Sequence, residues 1–146
     1  MARFGRRCRE RGVQLAFHAH DVEMQLLPSG RRAIEVLLDV TDPDDLAFEP
    51  DLAWIVRGGV DPLATLERFA GRCPLVHVKD LAGPGADPRE EGWAAPGEGV
   101  LDWSVLLPAT VDAGAAWWIV EHDAPVDPVG TLRRGRDFLS GASATI

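Results

Sequence analysis

Three things are scarce in this chain of 146 residues: cysteine, positive charge and long apolar runs. The two cysteines, Cys8 and Cys73, form neither a CxxC pair nor a disulfide framework. No apolar run approaches the roughly 20 residues a bilayer span requires, so membrane insertion is set aside. The basic opening, "MARFGRRCRERG", leads into no signal-peptide core, and a reducing cytoplasm is the expected setting. With 15 basic against 23 acidic side chains the formal net charge is −8, which argues against nucleic acid as a partner. The basic clusters lie towards the ends, at Arg6, Arg7, Arg9 and Arg11 and at Arg133, Arg134 and Arg136, and read as solvated helix faces.

What remains is the composition of an ordinary soluble globule, 46% hydrophobic and 26% charged, with a length that fits one domain over residues 1–146. Four apolar, β-leaning runs recur: "VQLAFHAH" (13–20), "DLAFEPDLAW" (45–54), "CPLVHVKD" (73–80) and "AWWIVEHD" (116–123). Between them "DPLATLERFAG" (61–71) predicts a helix started by Asp61 and Pro62 and stopped at Gly71. "LDWSVLLPATVDAG" (101–114) predicts another, capped by Asp102, with a kink or a late start imposed by Pro108. A last helix is expected over "PVGTLRRGRDFLSG" (128–141), with residues 142–146 frayed. Strands alternating with helices in this way predict an α/β fold of parallel βαβ units with right-handed crossovers. The segment 81–100, rich in glycine and proline, is too long for a simple βα connection and reads as a lid or a disordered loop. Its "GPGADP" piece lacks the spacing and the following helix of a phosphate-binding loop.

Each apolar run ends in polar residues. Alternation puts His18 and His20 on one face, as it does Glu49 and Asp51, His77 and Lys79, and Glu121 and Asp123, while His122 points away and reads as structural. In a parallel α/β sheet the carboxyl ends of the strands share one rim, where ligands bind. Imidazoles and carboxylates meeting there suit Mn, Co, Zn or Fe(II) better than Ca. Plainer readings stand beside this one. His77 can be a hydrogen-bonded structural residue, Asp51 a cap, Glu121 a partner for a lysine, and Lys79 an ion-pair partner of Asp51 or Glu121. Trp54, Trp93 and Trp103 can simply pack.

The blocks "GVQLAFHAHDVEMQ", "FEPDLAWIVRGGVDPLATLERFAGRCPLVHVKD" and "GEGVLDWSVLLPATVDAGAAWWIVEHD" resemble, in order, those of the sugar phosphate isomerase/epimerase family, the xylose isomerase-like barrels that include inosose dehydratases. The resemblance covers roughly residues 4–140. It implies a (β/α)8 barrel in which a Glu, an Asp, a His and a second Glu hold a divalent metal (Mn, Co, Zn or Mg) at the strand ends. Matched residue by residue, Asp51, His77 and Glu121 take the places of Asp, His and the later Glu. His18 stands at the first ligand's place, with His20 beyond it and Glu23 as a further candidate. A histidine in place of the first glutamate departs from the two-glutamate acid/base pair of the family's epimerases.

A full barrel takes about 250 residues, so the resemblance implies the half carrying strands five to eight, without strands one to four. Such a half exposes two strand edges and an apolar face, which a homodimer could cover. The implied chemistry is proton abstraction beside a carbonyl of a sugar or keto-polyol through an enediolate, by isomerisation, epimerisation or inosose-type dehydration. Glu121, His18 and His20 would be catalytic, while Lys79 and Trp54 would contact substrate. Glu98 reads as part of the lid. The rival expectation is a non-catalytic half-barrel, serving as an interaction module or an inactive fragment.

Overall fold

All four apolar runs form strands, each shorter than its run. The computed structural model describes residues 1–142, so the expected fraying beyond Ala142 lies outside the described residues. In chain order the strands are β1 (Ala16–Ala19), β2 (Ala47–Pro50), β3 (Leu75–Val78), the two-residue β4 (Asp80–Leu81) and β5 (Trp93–Ala94), and β6 (Trp117–Val120). The helices are α1 (Ala2–Arg9), α2 (Ala33–Asp39), α3 (Leu52–Arg57), α4 (Pro62–Arg68), α5 (Trp103–Asp112) and α6 (Pro128–Ala142).

β1 and β2 pair in parallel, with His18 opposite Glu49, and β3 and β6 pair in parallel, with His77 opposite Ile119. A parallel bridge between Asp51 and His77 joins the two pairs, giving the order β1, β2, β3, β6. The carboxyl ends of all four strands therefore point to one rim. Among the described residues no strand pairs with the outer edge of β1 or of β6. Trp117, on β6, is 69% exposed, whereas the inner strands β2 and β3 bury Phe48, Val76 and Val78 completely.

Helix starts follow local chemistry. Asp61 accepts the Leu63 amide at 2.9 Å and Asp102 the Ser104 amide at 3.1 Å, each satisfying one of the orphan donors of the first turn. α5 begins directly after Asp102 and continues through Pro108, so the late start expected from that proline does not occur. The run 45–54 is not one strand. It stops at Pro50, because Asp51 caps α3 by accepting the Trp54 amide at 3.0 Å. The core gathers Ile34, Leu38, Phe48, Leu52, Ile55, Leu66, Leu106 and Leu107, with Phe48 and Phe69 edge to face at 5.4 Å.

The basic amino-terminal helix is not simply a solvated face. Gly5 lies so close to the Asp45 carbonyl that an added Cβ would stand 1.7 Å from its oxygen. The approach lets Arg9 reach the buried Asp45 carboxylate at 2.9 Å and Arg6 reach it at 3.4 Å. A third arginine ties helix to strand: Arg72 donates to the carbonyls of Leu38 (2.6 Å), Thr41 (3.0 Å) and Leu46 (3.0 Å).

Burial pushes the neighbouring Cys73 thiol from 9.0 up to about 12. Between those values the folded chain keeps a proton that the unfolded chain has lost, so stability falls as pH rises from about 9 towards 12, by on the order of 4 kcal/mol across the full span. Thermal melts over this range should show the decline in the wild type and a flatter profile in Cys73→Ala.

Candidate metal centre

Four side chains from the four strand ends converge at the rim. One donor atom each from His18, Asp51, His77 and Glu121 lies within 4.8 Å of the others. His18 on β1 and His77 on β3 approach across β2, with ring centroids 4.0 Å apart. Asp51 divides its oxygens: Oδ1 caps α3, while the buried Oδ2 pairs with the Lys79 ammonium at 3.1 Å. Both the cap and the ion-pair alternatives for Asp51 and Lys79 are thus present in the fold. Glu121 follows β6 and extends its ladder, its amide donating to the Val78 carbonyl at 3.3 Å.

The histidines have distinct surroundings. His18 Nε2 meets His20 Nε2 at 3.0 Å, and its buried Nδ1 has no hydrogen-bond partner among the described residues. His77 is held on both sides, by the Glu121 carboxylate at Nδ1 and by Glu49 Oε1 at Nε2, 2.7 Å away. His20 lies against Trp54, ring centroids 4.7 Å apart. Glu23 is not drawn into the group, because its carboxylate accepts the His20 backbone amide at 2.9 Å. His122, as expected, faces elsewhere, its Nδ1 accepting the Ala124 amide at 3.2 Å.

The positive charge comes from Lys79, the chain's only lysine, which is 0% exposed. Its Nζ is 2.5 Å from Asp123, 3.1 Å from Asp51 and 3.4 Å from Glu121, and it sits over the Trp93 ring at 4.8 Å. Burial pulls the Lys79 pKa down, but the Asp51, Asp123 and Glu121 carboxylates outweigh it and the ammonium is held above its ordinary range. Burial pushes Asp51 up, only partly offset by Lys79 and the Trp54 amide. Glu121 is pulled below its usual range: burial opposes this, but His77 and Lys79 together prevail. Burial and the adjacent His77 lower His18, which favours its neutral, ligating form.

These residues fit a divalent cation. Two imidazoles and two carboxylates offer a borderline donor set, and among the described residues the buried Nδ1 of His18, a member of that group, has no hydrogen-bond partner. Glu49 and Asp123 bring the carboxylates around the site to four against one ammonium, an imbalance that a dication would relieve.

The segment 81–100 is an ordered flap. β4 and β5 pair antiparallel, a 3-10 turn spans Pro88–Glu90, and the flap carries Trp93 onto Trp54, with ring centroids 4.5 Å apart. Arg57 stacks on Trp93 at 4.1 Å and donates to the Glu91 carbonyl, and Glu98 pairs with Arg134 at 2.9 Å. The anchor is Asp80, fully buried, which accepts the Gly97 and Leu101 amides at 3.1 and 3.0 Å and the Trp103 indole at 2.8 Å. Gly99 is required there, since an added Cβ would lie 2.3 Å from the Asp80 carboxylate.

Glu49, Asp123 and Asp80 were not singled out from the sequence. The first two are the unselected members of the pairs Glu49/Asp51 and Glu121/Asp123, and that spacing of two was the available signal.

Parallel strands with helices between them, and a cluster of metal-type donors at their carboxyl ends, define a TIM-barrel-like α/β unit. The chain belongs to the xylose isomerase-like TIM barrel family, whose sequence profile matches residues 1–141. It is 29% identical over 140 residues to an inosose dehydratase of Lacticaseibacillus casei, covering 88% of this chain and 46% of that protein. A second inosose dehydratase, from Bacillus cereus (strain AH820), is 26% identical over 151 residues, covering 92% of this chain and 50% of that protein. Among solved structures, a sugar phosphate isomerase/epimerase from Parabacteroides distasonis superimposes with a TM-score of 0.76 at 22% identity, covering 94% of this chain and 48% of the other. A probable 3-DHS dehydratase from Bacillus anthracis gives 0.68 at 17% identity, covering 94% and 54%. The chain thus spans about half the length of the relatives it matches. Among the described residues no helix is long and apolar enough to cross a membrane.

Proposed function

We propose that this chain is the metal-binding half, strands five to eight, of a barrel that removes a proton beside a carbonyl of a sugar or keto-polyol, as an isomerase, epimerase or inosose dehydratase-type lyase of the cytoplasm. The observation that carries the reading is the convergence of His18, Asp51, His77 and Glu121 from four separate strand ends. Those four would hold a divalent cation (Mn, Co, Zn or Mg), which when bound supplies Lewis acidity towards neighbouring carbonyl and hydroxyl oxygens.

The remaining steps belong to the chain's own groups. Glu121, kept ionised by His77 and Lys79, takes the proton from carbon. His18 and His20, joined through their Nε2 atoms, pass a proton to or from a substrate oxygen. Lys79 favours developing negative charge through its field, because its buried ammonium is already held by three carboxylates. Trp54, backed by Trp93, offers a wall for the apolar face of a sugar ring. The inosose dehydratase relatives favour loss of water after the proton is removed.

The test is solvent deuterium exchange. Protein loaded with Mn, Co or Zn and mixed with inosose or a panel of ketoses in D2O should place deuterium on the carbon beside the carbonyl, and Glu121→Gln should abolish this. Absence of exchange in a metal-loaded protein across the panel would contradict the reading.

The outer edges of β1 and β6, unpaired among the described residues, favour a second reading of the unit, as an assembly module. By two-fold symmetry a second copy would set its β6 beside β1, and its β1 beside β6, closing eight strands. Size-exclusion chromatography with light scattering should then give twice 15.8 kDa. A stable monomer would rule out closure by self-association and leave the other half of a longer barrel as the covering surface.

A further inference from the structure

Glu49 has no part in the proposed chemistry, yet it makes the closest carboxylate contact to the Nε2 side of His77, at 2.7 Å. It is not one of the four residues whose donor atoms mutually approach. The two nitrogens of an imidazole lie on different sides of the ring, and the Nδ1 side of His77 faces Glu121, within the group. A neutral histidine carries one proton, and the acceptor at one nitrogen decides which nitrogen keeps a free lone pair. His77 has a carboxylate at each nitrogen, and because Glu121 belongs to the clustered group while Glu49 does not, a proton held at Nε2 towards Glu49 is the arrangement that leaves the Nδ1 lone pair for a cation shared with Glu121.

We infer that Glu49 is the positioning residue of the metal centre: it accepts the Nε2–H of His77, fixes that tautomer and ring orientation, and so commits Nδ1 to the cation. This rests on the metal reading above. The sheet supports the placement, since Glu49 is the third residue of β2, opposite His18 in register, and a strand, not a loop, delivers its carboxylate to His77. Outer carboxylates of this kind raise ligand basicity and hold the ring, and their loss weakens metal binding about 10–100-fold.

The probe is Zn2+ alone, measured by competition with a chromogenic chelator on the full chain. Glu49→Ala should bind zinc about 10–100-fold more weakly than wild type. Glu49→Gln, nearly isosteric and still offering an oxygen to Nε2–H, should recover most of the affinity, which separates positioning from a general loss of folding. Long-range proton–nitrogen spectra of the zinc-loaded wild type should place the His77 proton on Nε2. Wild-type zinc affinity in Glu49→Ala, or a His77 proton on Nδ1 in the zinc-loaded protein, would overturn this inference alone. Failure of the wild type to take up zinc would overturn the metal reading and this inference together.

Discussion

Lys79→Met is expected to destabilise the metal-free protein by roughly 3–5 kcal/mol, the usual consequence of leaving buried charge without its partner. Methionine fills a similar volume, so the loss is electrostatic and not a cavity effect. Asp51 carries most of it, since its carboxylate is fully buried, whereas Glu121 and Asp123 keep part of their hydration and temper the penalty. The melting temperature at pH 7 should drop by on the order of 10 °C. Two further signs follow. The orphaned carboxylates can take up protons, so the gap to wild type should narrow as pH falls from 7 towards 4. In the wild type, the raised Lys79 pKa contributes stability that is fully present below 10.5 and is lost as pH rises through the higher folded value. Saturating Zn2+ should recover much of the variant's stability by replacing the missing positive charge. A variant melting within about 2 °C of wild type, with no dependence on pH, would mean that solvent already screens the cluster.

Asp80→Ala should have an effect of similar size by a different route. The carboxylate gathers the amides of Gly97 and Leu101 and the indole of Trp103, and among the described residues no cation pairs with it. Each buried donor left without an acceptor costs about 1–3 kcal/mol, so losing the anchor removes roughly 3–5 kcal/mol and detaches the flap. Asp80→Asn should not rescue, because its NH2 would be aimed at one of the same donors. Limited proteolysis should cut within residues 82–100 in the variants while the intact flap resists. Unchanged protection would show that Arg57, Arg134 and the Trp54–Trp93 contact suffice to hold it.

The parts of this fold that could be read in advance are those governed by local chemistry. The four strands follow from runs of Val, Ile, Leu, Phe and Trp, and the starts of α4 and α5 from Asp61 with Pro62 and from Asp102. Two helices, α2 and α3, were not anticipated, and the amino-terminal basic cluster was read as a helix face without the bounds of α1. Each has six to eight residues, too short to be stable alone, and is fixed by what it packs against. α1 needs the approach of Gly5 to Asp45, and α3 breaks an apolar run that continues in β-favouring residues, Trp54, Ile55 and Val56, because Asp51 supplies a cap. At the rim, alternation brings the pairs His18/His20, Glu49/Asp51, His77/Lys79 and Glu121/Asp123 to a shared edge, and the family resemblance selects Asp51, His77, Glu121 and His18 among them. The selection of Glu49 by His77 and of Asp123 by Lys79 depends on contacts 28 and 44 residues apart in sequence, which no local pattern encodes.

One cation gripped by four strand ends is the centre of the proposed site. Zinc content per chain, measured by mass spectrometry after loading and exhaustive dialysis, tests this directly. The prediction is close to one zinc per wild-type chain and almost none in His77→Ala, with the variant still folded by circular dichroism. A wild type that retains no zinc, or a His77→Ala variant that retains as much as wild type, would contradict it.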